Sequence, residues 1–186
     1  SIVTDFSLDK APVGGHYYHQ VLARVSGTSW YMLTARLETT GVLRVYVSKM
    51  VSGTESVLKT TVVSGFNYAA GEKLKVRFDV TGDGSSSLAG KVWRAGDAEP
   101  GSPTVSVTDS TASLQSAGGL GLKLYTAGGM TSLPLVTKIA DYRPRRSEVA
   151  NGQQRESTDE GGGRLGRDSR GRRGAQRLHW HHHPDR

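Results

Sequence analysis

The chain has 186 residues, no cysteine and a formal net charge of +7, so disulfide stapling is excluded and one domain of ordinary size accounts for its length. No apolar run reaches the roughly 18 residues of a spanning helix. The charge is uneven: Ser1–Tyr142 holds eight Lys and five Arg against eleven acidic residues, a net of +2, and Arg143–Arg186 holds eleven Arg, no Lys and six acidic residues, a net of +5. Most of the basic character therefore belongs to the C-terminal stretch and is no argument that the remainder binds nucleic acid.

In chain order, Ile2–Leu8 reads as a first strand, closed by Lys10-Ala-Pro-Val-Gly-Gly15, whose Pro and Gly pair interrupt pairing and turn the chain. Its opening Ser1-Ile-Val-Thr4 already looks like strand interior, which suggests a processed N-terminus. Tyr17–Val25 and Trp30–Leu37 flank Ser26-Gly-Thr-Ser29, a hairpin-length loop. Val42–Val51 and Ser56–Val63 follow, separated by Ser52-Gly-Thr-Glu55. In Leu74–Val80 the apolar Leu74, Val76, Phe78 and Val80 alternate with Lys75, Arg77 and Asp79, the period-2 pattern of a half-buried strand. Slipping it by one residue would bury Lys75 and Arg77, with Lys73 just before them, so its register is firmly set. Leu88–Arg94, Thr104–Thr108, Gly119–Tyr125 and Leu135–Tyr142 complete about ten strands, and helix formers never gather at a 3.6-residue period. Short strands between Gly-rich turns predict an all-β antiparallel two-sheet sandwich over residues 1–142.

Three runs of residues carry a resemblance. Tyr68-Ala-Ala-Gly-Glu-Lys-Leu-Lys-Val-Arg-Phe-Asp-Val-Thr-Gly82, Lys91-Val-Trp-Arg-Ala-Gly-Asp-Ala-Glu-Pro100 and Val107-Thr-Asp-Ser-Thr-Ala-Ser-Leu-Gln115 resemble a concanavalin A-like, laminin G-like jelly-roll module. Such modules occur in minor tail proteins of phages of actinobacteria and in secreted actinobacterial proteins. The likeness extends to Val3–Lys10, Ala23-Arg-Val25, Tyr31–Leu37 and Gly119–Leu122. It implies a jelly roll that binds or displays rather than catalyses, with carbohydrate as the usual partner. It also implies a Gly- and Trp-containing segment upstream, which this sequence does not contain.

Enzyme chemistry finds little support in the residues. A glucanase site needs two carboxylates flanking one glycosidic bond, yet Glu38, Glu55, Asp79 and Asp83 are scattered. His16 and His19 are the histidines of residues 1–142; three apart on a strand, they would face opposite sides, which suits polar packing at a strand end better than a shared catalytic or metal role. Gly118-Gly-Leu-Gly121 lacks the following helix that would cradle a phosphate.

Binding signals are softer. If the Val92 face meets the core, Trp93 lies outside beside Lys91, a flat amphipathic platform of the kind sugar rings stack on; the other reading has Trp93 covering a loop or the second sheet. Arg44 and Tyr46 alternate with Leu43, Val45 and Val47 and so face solvent, and Arg24 and Arg36 take comparable outward positions on neighbouring strands. Together they line a polar face, although a solvated antiparallel sheet shows such residues without a ligand as well. No cofactor is expected. Calcium is a common companion of laminin G-like folds, and Asp83, Asp97, Glu99 and Asp109 are the candidate oxygens, but no loop has the carboxylate density of a dedicated site.

Arg143–Arg186 alternates arginine with glycine and has few aliphatic residues, which predicts a disordered tail. Nucleic acid is not the expected partner: lysine is absent there, and no aromatic is interleaved before Trp180. His179-Trp-His-His-His183 reads as a short metal-binding tract, a coding accident or an expression remnant. The sequence thus points to a non-enzymatic adhesion module of a phage virion that engages host-surface glycan. A carbohydrate-binding module of a secreted bacterial protein and a ligand-free virion decoration domain contacting other virion proteins are the alternatives.

Overall fold

The computed structural model describes residues 1–144, and the expectations of a disordered tail and of a His-rich metal tract concern residues outside these. Ten strands follow one another: β1 (Ile2–Leu8), β2 (Tyr17–Ser26), β3 (Ser29–Leu37), β4 (Leu43–Val51), β5 (Thr54–Val62), β6 (Leu74–Thr81), β7 (Ser86–Arg94), β8 (Val105–Asp109), β9 (Gly119–Thr126) and β10 (Thr137–Pro144). A single 3-10 turn, Ala112–Leu114, lies between β8 and β9. No helix among the described residues is long and apolar enough to cross a membrane.

The strands form two five-stranded antiparallel sheets, sheet A in the order β10-β1-β6-β7-β8 and sheet B in the order β5-β4-β3-β2-β9. The chain changes sheet at β1–β2, β5–β6, β8–β9 and β9–β10, so that most of sheet B is inserted between the first two strands of sheet A. This all-β two-sheet sandwich is compatible with a jelly roll. β4 packs over β7 and β8, and β5 over β8, which stacks the two sheets face to face.

Alternation decides which face each residue serves. Leu33, Leu37, Leu43, Val45 and Val47 from sheet B meet Phe6, Leu74, Val76, Phe78 and Leu88 from sheet A, all fully buried. Each is worth roughly 1.5–3 kcal/mol on transfer scales before chain entropy is subtracted. At the inward-facing Gly90 a Cβ would lie 2.3 Å from Leu33 Cδ1, so a glycine lets the sheets approach there.

The interior also contains polar groups, and they are treated in two ways. At one end a chain of hydrogen bonds crosses between the sheets. Lys49 Nζ donates to Asp109 Oδ1 (2.7 Å), Tyr31 OH donates to Asp109 Oδ2 (2.8 Å), Gln115 Nε2 donates to Tyr31 OH (3.1 Å), and Ser86 Oγ donates to Gln115 Oε1 (2.8 Å). Burial alone would raise the Asp109 carboxyl, but the bonds from Lys49, the Thr111 amide and Tyr31 outweigh it and bring it down to about 2. His19 is the opposite case: it is 0% exposed and stacks on Phe6 with ring centroids 4.1 Å apart. Neither of its ring nitrogens has a hydrogen-bond partner. Burial lowers it to about 3, so the ring is neutral at ordinary pH. The expectation of polar packing at a strand end is therefore corrected: His19 occupies an inward position on β2 and belongs to the core.

Candidate functional site

The outer face of sheet B is assembled row by row from the strand register. Tyr125 on β9 opposes Tyr18 on β2, Tyr18 opposes Arg36 on β3, and Arg36 opposes Arg44 on β4. One step along, Thr34 opposes Tyr46, which opposes Thr60 on β5. Apart from Thr34, these side chains, with Glu55 and Val57, line a groove of about 440 Å³, within the size range of small-ligand sites. Arg36, Arg44 and Tyr46, predicted from alternation alone, thus converge on one concavity.

The groove's polar groups are mutually held. Glu38 Oε1 accepts from Arg36 Nη2 at 2.5 Å and from Arg44 Nε at 2.8 Å, and these two bonds, Arg36 first, keep its carboxyl below the usual carboxylate range. Glu38 itself is fixed by the turn between β3 and β4: its amide donates to Val42 O, and the Gly41 amide donates to its carbonyl, both at 2.9 Å. Gly41 has φ +81° and a Cβ there would fall on the Asn67 side chain, so the turn that aims Glu38 needs glycine. Tyr18 and Tyr125 stack in parallel with centroids 4.3 Å apart. Burial, aided by Tyr46, Tyr18 and Glu55 and opposed by Arg36, pushes the Tyr125 phenol up to about 12. Tyr46 is raised as well, first by burial. The Tyr46 and Tyr125 phenols are therefore neutral hydrogen-bonding groups at physiological pH.

Arg24 does not join this face. It lies in a β-bulge where the pairing of β2 with both β3 and β9 shifts, with φ 54°. The bulge breaks the alternation and turns the side chain to the end of the sandwich, where its guanidinium donates to Ser86 Oγ (2.7 Å), Leu114 O (2.9 Å) and Gly82 O (2.5 Å). Its place is in the tie between the sheets.

Trp93 and Lys91 lie on the outer face of sheet A, as expected once Val92 faces the core, but they do not form an exposed platform. The connection from β7 to β8 turns back across that face: Glu99 accepts from Lys91 Nζ at 2.8 Å and from Arg77 Nη1 at 3.1 Å, and Thr104 Oγ1 accepts from the Val92 amide at 3.1 Å. Trp93 is left 9% exposed. The reading in which it is covered is the one the structure shows.

The candidate calcium oxygens are not brought together. Asp109 is engaged by Lys49, Tyr31 and Thr111, and Glu99 by Lys91 and Arg77. Among the described residues no group of three or more His, Asp or Glu is placed to hold a metal ion. His16 stands apart from His19, its Nδ1 accepting from the Thr39 amide at 3.3 Å.

Tyr18 and Tyr125 are not singled out by the sequence, and Glu38 and Glu55 figure there only as scattered carboxylates, not as parts of this face. For Tyr18 a signal exists, since it alternates outward from the buried Tyr17; Tyr125 and Glu55 enter through strand pairing that no local pattern announces. No protein-family model, curated protein or solved structure matches the chain.

Proposed function

We propose that the chain is a non-enzymatic adhesion module of a phage virion, a minor tail or fibre component, that engages host-surface glycan through the outer face of sheet B. The observation that carries the binding reading is the groove in which Arg36, Arg44 and Tyr46 converge with the Tyr18–Tyr125 stack. Aromatic rings beside fixed hydrogen-bonding groups suit the apolar faces and hydroxyl edges of a sugar. The phage assignment rests on the resemblance of the runs 68–82, 91–100 and 107–115. The non-enzymatic reading is supported by the carboxylates: Glu38 is held ionised between two guanidiniums, and Glu55 is the one carboxylate among the lining residues, so the acid and nucleophile pair of a glycosidase is not assembled.

A glycan array that includes cell-wall polysaccharides of actinobacteria tests this. Binding that is lost in Tyr46→Ala and weakened in Arg36→Ala but kept in Lys91→Ala is the expected result. An array without signal favours the ligand-free decoration role, and hydrolysis of any glycan by the purified chain overturns the non-enzymatic reading.

A further inference from the structure

The groove also indicates which class of glycan it takes. Two arginines side by side on a sheet ordinarily suggest an acidic ligand, because guanidinium forks match carboxylates and phosphates. Here that role is already filled. Glu38 bridges both guanidiniums from the side of the β3–β4 turn, and Glu55 lines the groove from the β5 rim, so the two cations of the groove already have an anion bound behind them and a second carboxylate in the same space. Lys123 is a further cation beside it: its Nζ lies 5.4 Å from the Tyr125 ring centroid, and the residue is exposed, where screening weakens it at ordinary salt.

We infer, resting on the glycan reading of this groove, that it selects neutral saccharides over acidic ones and that Glu38 sets the selectivity by occupying the two arginines. An incoming carboxylate would be drawn by Arg36 and Arg44 but repelled by Glu38 and Glu55, and it would still lose its hydration on entering. A sugar hydroxyl meets no such opposition, since it donates and accepts at once. The guanidinium N–H groups not spent on Glu38 offer donors, Glu55 offers acceptors, and the neutral phenols offer both. The phenols report the same balance: at Tyr46 and at Tyr125 Glu55 acts upward while Arg36 acts downward, so neither hydroxyl sits in a purely positive field.

The test uses the full chain against immobilised mannan and arabinogalactan as neutral probes and polygalacturonate as the acidic one, at low and high NaCl. Residues 143–186 carry a net +5 and have their own affinity for polyanions, so groove binding is taken as the part removed by Tyr46→Ala. The expected result is groove binding to a neutral polymer that changes less than about twofold between the two salt levels, since no net charge is neutralised. Glu38→Gln should gain roughly tenfold for polygalacturonate at low salt and lose that gain at high salt. Glu55→Gln should shift the preference in the same direction, which guards against a folding defect of the Glu38 variant. Groove binding to polygalacturonate above the neutral polymers in the unmodified chain overturns the inference and leaves the glycan reading standing. Absence of groove binding to any of the three, with a positive signal elsewhere on a glycan array, likewise overturns the choice of neutral ligands. No signal on either sinks the glycan reading itself.

Discussion

The two outer faces of the sandwich are built from the same kind of residue and come out differently. On sheet A, Lys75, Arg77, Lys91 and Trp93 alternate with core residues, and the β7–β8 connection folds back so that Glu99 clamps Arg77 and Lys91 while Trp93 is covered. On sheet B, Arg36, Arg44 and Tyr46 alternate in the same way, and their carboxylate comes from a short turn at the edge of the face, which ties the guanidiniums without roofing them. An amphipathic strand thus keeps an open face only where no neighbouring connection needs that face for its own packing. A carboxylate on a long returning loop closes a face, and one on a tight turn furnishes it.

This contrast can be broken at several points, beginning with the interior that both faces share. The first is pH. His19 is lowered to about 3 from an ordinary 6.5, so below pH 6.5 the unfolded chain takes up a proton that the folded one refuses. Stability should therefore fall as pH drops from 6.5 towards 3, by up to about 1.4 kcal/mol per pH unit from this group. Urea titrations between pH 7 and 4 should show that slope, and His19→Leu should flatten it. A slope unchanged in His19→Leu would place the acid sensitivity in the ion pairs of the faces instead. Asp109, lowered to about 2, acts in a separate and lower window: its contribution is complete above pH 3.8 and is lost between there and about 2.

Asp109→Ala comes second. It removes the anion that pairs Lys49 and accepts from Tyr31, leaving them Thr111 Oγ1 and Gln115 Nε2, and should cost about 3 kcal/mol in chemical denaturation. Third, Arg36→Ala should weaken glycan binding by about tenfold, roughly 1.4 kcal/mol, with little change in melting temperature, and Lys91→Ala should leave binding unchanged. Equal losses from both variants would erase the distinction between the faces. The smallest effect is expected for Glu99→Ala. Glu99 and Arg77 are a third exposed and Lys91 about half that, so its ion pairs are worth less than about 1 kcal/mol. Even so, lifting the loop should shift Trp93 fluorescence to the red and increase its quenching by acrylamide, whereas an unchanged spectrum would mean that other contacts of the connection keep the tryptophan covered.

Much of the fold was legible residue by residue. The alternation in Leu74–Val80 and the Gly-containing turns placed all ten strands to within about two residues of their observed ends, because period-2 burial is local and survives any arrangement of the sheets. The face of Arg36, Arg44 and Tyr46 was legible for the same reason. Tyr18 was harder, and the hairpin shows why. Counting back from the Ser26–Ser29 pair sets Tyr18 opposite Leu37, whereas the bulge at Arg24 moves the register by one and brings Tyr18 opposite Arg36. That bulge also removed Arg24 from the face to which simple alternation assigned it.

By itself, the sequence determined that this chain makes strands, how many, and which side of each turns to the core, since those follow from the spacing of apolar residues and the turn chemistry between them. The tertiary structure decided what is open. Trp93 is covered where the connection that follows β7 turns back across its face, Glu38 joins two arginines because two strands align, and Tyr125 reaches Tyr18 across a distance of more than a hundred residues in the chain. Pairings at that separation depend on which strands become neighbours and in what register, and local periodicity carries no information about either.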